Sequence, residues 1–517
     1  MASQTRRKVF SRRSRTGCRT CRTRRIKCDE TPGSCRNCAT AGWKCEGYDV
    51  VRLVPPGKGQ GSDTSLTLYQ PSQICPGESP EERRGFAFFM TVTVPNMTGF
   101  FDSCLWENLI LPMSHSERAV VHAVVALAAL HEDLQSRGAP LSRENLANRR
   151  QKFALGQYGR SLTALNERRY SQDPKLRDVI LACCLLFVTI DVLRGQYDSA
   201  LLHLKHGLAS IEEERQISSG GSGFTTCRTA VKQSLLATMT RLETQSLFFG
   251  LDPLISATLS FSVNNSGGSY FKTLQEARRA LDKLLASSVR LFMAVYELPA
   301  RARVANLHPD LADTQNDLMA QLHEFAQQLD WSMTHSLRLE GPKERRGLDM
   351  VLLHHITFSI LVEISLCVEQ PSYHDRYLNS FQRMMALSRE ISQSFKNENG
   401  SGTKPTLLLD MGIIPSLFLI CWKCRDSNLK HQALDALEEW PHREGLWDSR
   451  LLTIFARQII QLEKETASDD PDAWSQIQDH SLEVSDDQSY AILKYQTYGP
   501  GKGARKQRRV IPLDEET

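Results

Sequence analysis

Apolar residues return every three or four positions through most of the chain, the spacing that places them on one face of an α-helix. Such stretches run from about residue 83 to residue 465 and are separated by short polar segments. Alternating apolar and polar runs bounded by turn residues are scarce. The pattern therefore predicts a mainly α protein, with about ten or more helices in one large all-α body and no sheet of consequence.

Local sequence predicts the start of one helix and the burial of another. Ser114 and Glu117 have capping-box spacing ahead of the apolar run AVVHAVVALAALHE, so a helix is expected to begin there. The longest apolar run, VILACCLLFVTI at 179–190, is shorter than the ~20 residues that span a bilayer. It predicts a buried helix, and no membrane partner is expected.

Composition divides the rest of the chain into an arm, a cysteine module, a linker and a tail. The arm is rich in arginine and is expected to be disordered when free. The linker is rich in Gly, Pro and Ser and carries no apolar heptad, so the chain acts as a monomer or as a homodimer formed through the body. The predicted divisions are a basic disordered arm at 1–17, the module at 18–48, the linker at 49–82, the all-α body at 83–465 and an acidic then basic tail at 466–517.

Charge is concentrated at the start of the chain. Residues 1–50 contain 13 Lys or Arg and 4 Asp or Glu, a balance of +9. Because the whole chain carries only +4, the remaining residues carry −5. A basic head on a mildly acidic body indicates a polyanion as the partner of the head alone.

Six of the 14 cysteines form two successive copies of C-x2-C-x6-C, at Cys18, Cys21, Cys28, Cys35, Cys38 and Cys45. One copy supplies three thiolates, which cannot complete a tetrahedral zinc site. Two Zn²⁺ ions need eight metal–sulfur bonds, so six thiolates suffice only if two of them bridge both metals. By the symmetry of the two copies, we predict Cys18 and Cys35 as the bridging pair.

Two other interpretations of the cysteines remain. One is a single zinc with four thiolates and two spare cysteines, and the other is a disulfide framework. Both leave the duplicated spacing unexplained. In the two-zinc interpretation the metal is structural, and its binding supplies the folding energy that so small a core lacks.

The segments CRTCRTRRIKC (18–28), CDETPGSCRNC (28–38) and GWKCEGY (42–48) resemble the fungal Zn2Cys6 binuclear-cluster transcription factors. Members of that family usually have a proline between the two halves, and Pro32 occupies this place one residue early. The resemblance implies a nuclear regulator of RNA polymerase II genes, which binds CGG-type sites in double-stranded DNA and acts on the transcription machinery. It further implies control of a metabolic or biosynthetic gene set.

Four basic residues are expected on one short helix after Cys21, namely Arg22, Arg24, Arg25 and Lys27. Arginine can bind guanine O6 and N7 together in the major groove. The resemblance assigns the base contacts to Arg24 and Arg25, although most family members have lysine at the second of these positions. Arg22 and Lys27 are expected to contact phosphates or orient the helix.

Three segments of the body, at 100–132, 196–211 and 421–449, resemble the fungal-specific transcription factor domain, which implies a regulatory role. Other features favour structural roles. His203 and His206 are expected to pack on a helix, and Cys421 and Cys424 to pack rather than to act as a redox pair. A network of ion pairs is expected among Arg425, Asp426, Arg443 and Glu444.

Two tail segments leave alternatives open. The acidic stretch 469–487 is interpreted as a solvated tail, with an activation surface as the alternative. The basic cluster 501–509 is interpreted in the same way, with a second binding site as the alternative.

The leading hypothesis is a sequence-specific, DNA-binding transcription factor. One alternative is an enzyme whose catalytic unit is the helical body, but the sequence shows no conventional catalytic motif. The other alternative is a zinc-dependent protein-interaction scaffold without specific DNA binding.

Overall fold

The fold is described from a computed structural model of the chain, which divides into two compact units, Met1–Gln73 and Ile74–Thr517. Residues 1–16 of the predicted arm, most of the linker and Pro32 lie outside the described residues. The structure describes residues 17–29, 31, 34–46, 77–101, 104–141, 147–173, 175–219, 230–249, 270–298, 307–366, 376–398, 403–466, 477–485, 488–499 and 502–513.

The first unit contains two short helices, α1 (Arg19–Thr23) and α2 (Arg36–Ala39). Helices dominate the second unit, as the periodicity predicts. In chain order they are α3 (Pro80–Phe88), α4 (Val94–Met97), α5 (Leu111–Ser116), α6 (Arg118–Ser136), α7 (Arg149–Glu167), α8 (Leu176–Leu193), α9 (Tyr197–Ser219), α10 (Ala230–Ser246), α11 (Leu274–Tyr296), α12 (Pro309–His335), α13 (Pro342–Ser365), α14 (Leu378–Glu398), α15 (Ile414–Lys423), α16 (Ser427–Glu439) and α17 (Ser449–Thr466). Single π-helical turns, Phe89–Thr93 and Trp106–Ile110, precede α4 and α5, and a 3₁₀ turn, Leu247–Phe249, follows α10.

Two hydrophobic cores hold the second unit together. The first is centred on α6 and α8, and the predicted buried helix at 179–190 lies in α8, where almost every side chain is buried. The second joins helices that are far apart in sequence. Its fully buried side chains include Leu353 of α13, Met384 of α14, Leu417 of α15 and Ile459 of α17.

The predicted capping box at Ser114 and Glu117 is wrong. Ser114 lies inside α5 and donates its hydroxyl hydrogen bond to the carbonyl of Ile110 at 2.7 Å. Glu117 is the N-cap of α6 and makes no capping bond with its side chain. The capping box occurs at the start of α3, where Ser79 and Glu82 bond to each other's backbone N–H groups. Helix α3 therefore begins inside the predicted linker.

The predicted ion-pair network is also wrong in its partners. Arg443 is completely buried and pairs with Asp448 at 2.9 Å, across the antiparallel pair β2 (Arg443–Glu444) and β3 (Trp447–Asp448). Asp426 instead caps α16 by accepting the N–H of Leu429 at 2.7 Å. A buried arginine pairs with the carboxylate that the tertiary structure places next to it, and sequence spacing does not reveal which carboxylate that is.

Glu444 anchors the start of α15. Its carboxylate is fully buried and accepts the backbone N–H groups of Gly412, Ile413 and Ile414 at 2.9–3.0 Å. The Nε2 atom of His442 lies 2.7 Å from the same carboxylate. β2 also pairs in parallel with β1 (Leu407–Leu408). The loops before α15 and α17 are thereby fixed to each other.

The C-terminal tail forms a sheet, which corrects the expectation of a solvated tail and of no consequential sheet. Its three antiparallel strands are β4 (Ile477–Val484), β5 (Tyr490–Gly499) and β6 (Lys502–Pro512), in the order β4-β5-β6. The inward side chains belong to the second core; they are Ala491, Leu493, Tyr495 and Ile511, followed by Leu513 just after β6. The remainder of the acidic stretch, residues 469–476 and 486–487, lies outside the described residues.

Within the described residues, α13 is long and apolar enough to cross a membrane by length and composition, and an 18-residue window of it has a mean hydropathy of 1.5. Of that window, 61% is buried inside the protein. Its side chains, including Met350, Leu353 and Phe358, pack in the second core. α13 is therefore a core helix.

We expect Leu493→Ala to lower the free energy of unfolding of the full chain by about 3 kcal/mol, because it leaves a cavity where a completely buried side chain stood. The control is Val510→Ala on β6, whose side chain is 60% exposed and whose effect should stay below about 0.5 kcal/mol. Urea unfolding followed by circular dichroism measures both. Equally small effects would contradict the packing of β5 on the helical body.

Candidate metal centre and nucleic-acid interface

The two halves of the cysteine module use the same local structure. Cys18 is the N-cap of α1, and its sulfur accepts the N–H of Cys21 at 3.3 Å. Cys35 is the N-cap of α2 and accepts the N–H of Cys38 at the same distance. A helix N-terminus favours negative charge, so both capping sulfurs are placed where a thiolate is stabilised.

The fold brings the six cysteines together. The Cys18 and Cys35 sulfurs lie 3.6 Å apart, and that of Cys21 lies 3.5 Å from Cys35 and 3.8 Å from Cys38. Two groups of four sulfurs each fit within 4.8 Å, and Cys18 and Cys35 belong to both. The groups are Cys18, Cys21, Cys28 and Cys35, and Cys18, Cys35, Cys38 and Cys45.

These separations fit a tetrahedral metal. Zn–S bonds of about 2.3 Å in tetrahedral geometry place neighbouring sulfurs about 3.8 Å apart. Every one of the six cysteines is free of a disulfide. Burial raises the pKa of the Cys21 thiol far above its usual value, so the thiolate needs a cation beside it. The donor set is soft and closed, as in structural zinc sites.

Thr20 fastens the end of the module to α1. Its buried hydroxyl donates to the carbonyl of Lys44 at 3.0 Å and accepts the N–H of Glu46 at 3.0 Å. These two bonds hold the segment that carries Cys45 against the first helix. Sequence spacing gave no sign of this contact, because it joins residues far apart in the chain.

Asp29 connects the loop after the first half to α2. Its carboxylate accepts the N–H groups of Arg36 and Asn37 at 3.1 and 3.3 Å and the hydroxyl of Thr31. The Thr31 bond, with help from the two backbone bonds, lowers the pKa of Asp29 to about 2. Asn37 in turn donates to the carbonyl of Lys27 at 2.8 Å. Asp29, which is exposed, is therefore held against α2 by hydrogen bonds rather than by apolar packing.

The expectation of one helix through all four basic residues is wrong, because α1 ends at Thr23. Arg22 lies in the helix and Arg24 is its C-cap. Arg25 has φ +57°, in the left-handed region, and Lys27 lies beyond it. The helix stops because the chain turns left at Arg25, a position that usually requires glycine.

The turn at Arg25 is a Schellman motif. The N–H of Arg25 bonds to the carbonyl of Arg22, and the N–H of Ile26 bonds to that of Cys21, both at 3.1 Å. The second half repeats the motif 17 residues later. There Gly42 has φ +69° and the N–H of Trp43 bonds to the carbonyl of Cys38 at 2.9 Å.

Arg24 and Trp43 join the two halves on the outside of the module. The guanidinium of Arg24 lies 4.8 Å from the centre of the Trp43 ring, within cation–π range. Trp43 is 56% exposed, whereas Arg24 is half-buried. The stack restricts the rotamers of Arg24. Arg22 lies on the helix, and Arg25 and Lys27 are exposed.

The candidate residues of the body take structural roles, except His206, which does not pack as expected. His203 lies 2.9 Å from the hydroxyl of Tyr158, which donates to the buried Asp191 at 3.1 Å, and His206 is exposed. Cys421 and Cys424 are buried, and burial raises the pKa of the Cys421 thiol to about 12. Such a thiol is unreactive near neutral pH, so helix packing is its role.

Comparison with known proteins agrees with both parts of the fold. The fungal Zn(2)-Cys(6) binuclear cluster domain matches residues 16–52, and the fungal specific transcription factor domain matches residues 85–440, more than half of the chain. No solved structure matches the chain.

Three relatives illustrate the range of similarity. The chain is 26% identical, over 89% of each sequence, to the aspercryptin biosynthesis cluster-specific transcription regulator of Emericella nidulans. It is 50% identical over 62 residues to White-opaque regulator 2 of Candida albicans, or 12% of this chain and 14% of that protein. It is 25% identical over 206 residues to a transcription regulator of Purpureocillium lilacinum, or 38% and 48% of the two chains.

These matches identify a transcription regulator and not an enzyme, with a DNA-binding module that binds zinc. They also imply a nuclear role. The chain therefore belongs to the fungal Zn2Cys6 transcription factors that carry the fungal-specific transcription factor domain.

Proposed function

We propose that the module binds two zinc ions through all six cysteines, with Cys18 and Cys35 bridging both metals. The observation that carries this proposal is the membership of these two sulfurs in both groups of four. Cys21 and Cys28 complete one tetrahedron, and Cys38 and Cys45 complete the other. Six thiolates and two Zn²⁺ carry −2 together, so residues 1–50 keep a balance of about +7 for binding DNA.

We infer that Arg25 reads a guanine of a CGG triplet in the major groove. An arginine in the left-handed region costs about 1–2 kcal/mol relative to glycine. The equivalent position of the second half holds Gly42, which has no such cost. Strain of this kind at an exposed cation supports a functional role for its side chain, and a guanidinium can bind O6 and N7 of guanine together.

The other basic residues assist this contact in the proposal. The Trp43 ring holds Arg24 in a defined orientation, which lowers the entropy that Arg24 loses on reaching a base edge. Arg22 and Lys27 contact phosphates, which fix the module on the duplex without reading sequence. The alternative function, a zinc-dependent interaction scaffold, has no such use for a strained arginine.

The body would regulate transcription by RNA polymerase II in the nucleus, acting through the transcription machinery. The Emericella nidulans relative, aligned over 89% of both chains, is described as specific to a biosynthesis cluster. By that similarity we propose a biosynthetic gene cluster as the target set. Because the predicted linker carries no apolar heptad, any homodimer would form through the body.

Native mass spectrometry of the full chain should show two zinc ions per chain, because only shared thiolates let six cysteines complete two tetrahedra. Removal of the metal by a chelator should unfold the module and abolish DNA binding. A single zinc per chain, or a mass two hydrogens lower for each disulfide formed, would refute the bridged cluster.

We expect Thr20→Val to release zinc to a competing chelator faster, because the variant keeps the shape of the side chain and loses both bonds to the segment of Cys45. A colorimetric zinc indicator follows the release. Thr23→Val is the matched control, since among the described residues that exposed hydroxyl bonds only to the carbonyl of Arg19 in its own helix. Equal release rates from the two variants would argue against the proposed fastening.

Arg25→Gly separates the two consequences of the left-handed turn. The variant should retain zinc as well as the natural chain or better, because glycine adopts this conformation without strain. It should lose about 1–3 kcal/mol of discrimination at one base pair of a CGG site. Titrations of CGG-containing and scrambled duplexes across a salt series measure that loss, and the salt slope should change by about one unit at most.

Arg36→Ala is the control for this experiment. It removes an exposed cation from α2 of the same module and should leave base discrimination unchanged. If the natural chain binds CGG and scrambled duplexes equally, site-specific reading is wrong. If it discriminates and Arg25→Gly discriminates as well, the assignment to Arg25 is wrong.

A further inference from the structure

The outer face of the C-terminal sheet is basic, on a body whose charge outside residues 1–50 is −5. β6 contains five Lys or Arg and no Asp or Glu. Its register on β5 separates these charges by face. Arg508 pairs with Lys494, and Arg509 pairs with Leu493, whose side chain points into the core.

Arg509 is the charged residue of β6 whose side chain lies on the inward face of the sheet. Its guanidinium pairs with Glu465 of α17 and lies 3.4 Å from the side-chain oxygen of Gln458. That arginine fastens β6 to the helical body. Lys494, Lys506 and Arg508 point to the other face and are exposed.

The close placement of these three cations destabilises the sheet unless an anion binds beside them. Lys494 lies directly opposite Arg508, and like charges opposite each other destabilise a sheet. Glu483 of β4 pairs with Lys494 and compensates one charge. Among the residues that the structure describes, Lys506 and Arg508 form no ion pair with a carboxylate.

Protection of a sheet edge explains only part of this pattern. Lysine on an edge strand prevents pairing with another chain, and β6 is an edge strand. However, Lys494 is on β5, the central strand of the sheet. Its position opposite Arg508 extends the basic surface inward from the edge, as expected of a surface that binds an anion.

We propose that the outer face of the C-terminal sheet, formed by Lys494, Lys506 and Arg508, binds the phosphate backbone of DNA. DNA is the polyanion that this chain binds through its zinc module, so a second basic surface would meet it at high local concentration. Side chains on a strand donate to phosphates without reading bases. The contact adds affinity and no sequence preference, and it does not depend on which residues of the module read the site.

The test uses the full chain with the double substitution Lys506→Gln and Arg508→Gln, which removes two outward charges and leaves polar side chains in their place. Affinity for a duplex with DNA flanking the site should fall about tenfold at low salt. The slope of log K against log salt should lose about 1.8 units, as two lost phosphate contacts require. The loss should be equal for CGG-containing and scrambled duplexes.

Two control variants keep the test independent of folding and of total charge. Arg509→Gln removes an inward charge from the same strand, and it should lower stability without altering the salt slope. The pair Lys152→Gln and Arg169→Gln removes two exposed charges from the region of α7 and should change neither. A charge reversal, Lys506→Glu with Arg508→Glu, should weaken binding further than the glutamine pair.

An unchanged salt slope in the Lys506→Gln and Arg508→Gln variant overturns the proposal, as does an equal change in the α7 pair. Reduced transcriptional output with unchanged DNA affinity also overturns it, and would assign the surface to an acidic protein segment. If only Arg25→Gly loses base discrimination and the sheet variant binds with reduced affinity as expected, the sheet proposal stands. If only the sheet variant loses overall affinity, the proposal that Arg25 reads a base is unaffected.

Discussion

The meeting of six sulfurs is the constraint on which the first unit depends. The hydrophobic cluster of that unit consists of cysteines, five of them buried and the sixth partly buried. No aliphatic side chain among its described residues is buried to replace them. Metal–sulfur bonds therefore take the place of an apolar core, and the helices, the Thr20 fastening and the Asp29 bonds are arranged around them.

The cysteine cluster and the basic residues expected to bind DNA are connected by one short helix, α1. Cys18 starts α1 and places its sulfur at the metals, and a few residues later the Schellman turn ends it. The same short element therefore holds the cluster and presents the basic residues. The Trp43 ring supports Arg24 from the second half, so this support depends on the cysteine cluster that joins the two halves.

Spacing was enough to predict that the six cysteines come together, because the ligand count and the duplication constrain the possible arrangements tightly. The helical body followed from periodicity for the same kind of reason, since burial of one face acts on every turn. The end of α1 was missed because its left-handed residue is an arginine, whereas glycine is the usual signal. Arg443 was assigned wrong partners because its carboxylate, Asp448, is brought close only by the β2–β3 pair.

The sequence did not predict the C-terminal sheet because charged residues on both faces of β6 hide the alternation of apolar and polar positions that marks a strand. In β6 both faces carry cations, since Arg509 points inward and Arg508 outward, so no apolar period is visible. The inward period is clear only in β5, at Ala491, Leu493 and Tyr495. The segment GPGKG at 499–503, where β5 ends and β6 begins, was a turn signal that could have shown the hairpin.

The repeat of 17 residues within the module has a consequence for how a target site is read. The two halves share cysteines, helix starts and left-handed turns, yet the positions equivalent to Arg22, Arg24 and Arg25 hold Ala39, Ala41 and Gly42. If Arg22, Arg24 and Arg25 make the contacts proposed for them, two halves of the same local structure would carry an unequal set of contacts. Such a module would bind its site in one direction along a duplex, and that direction would be set by a few side chains on a repeated frame.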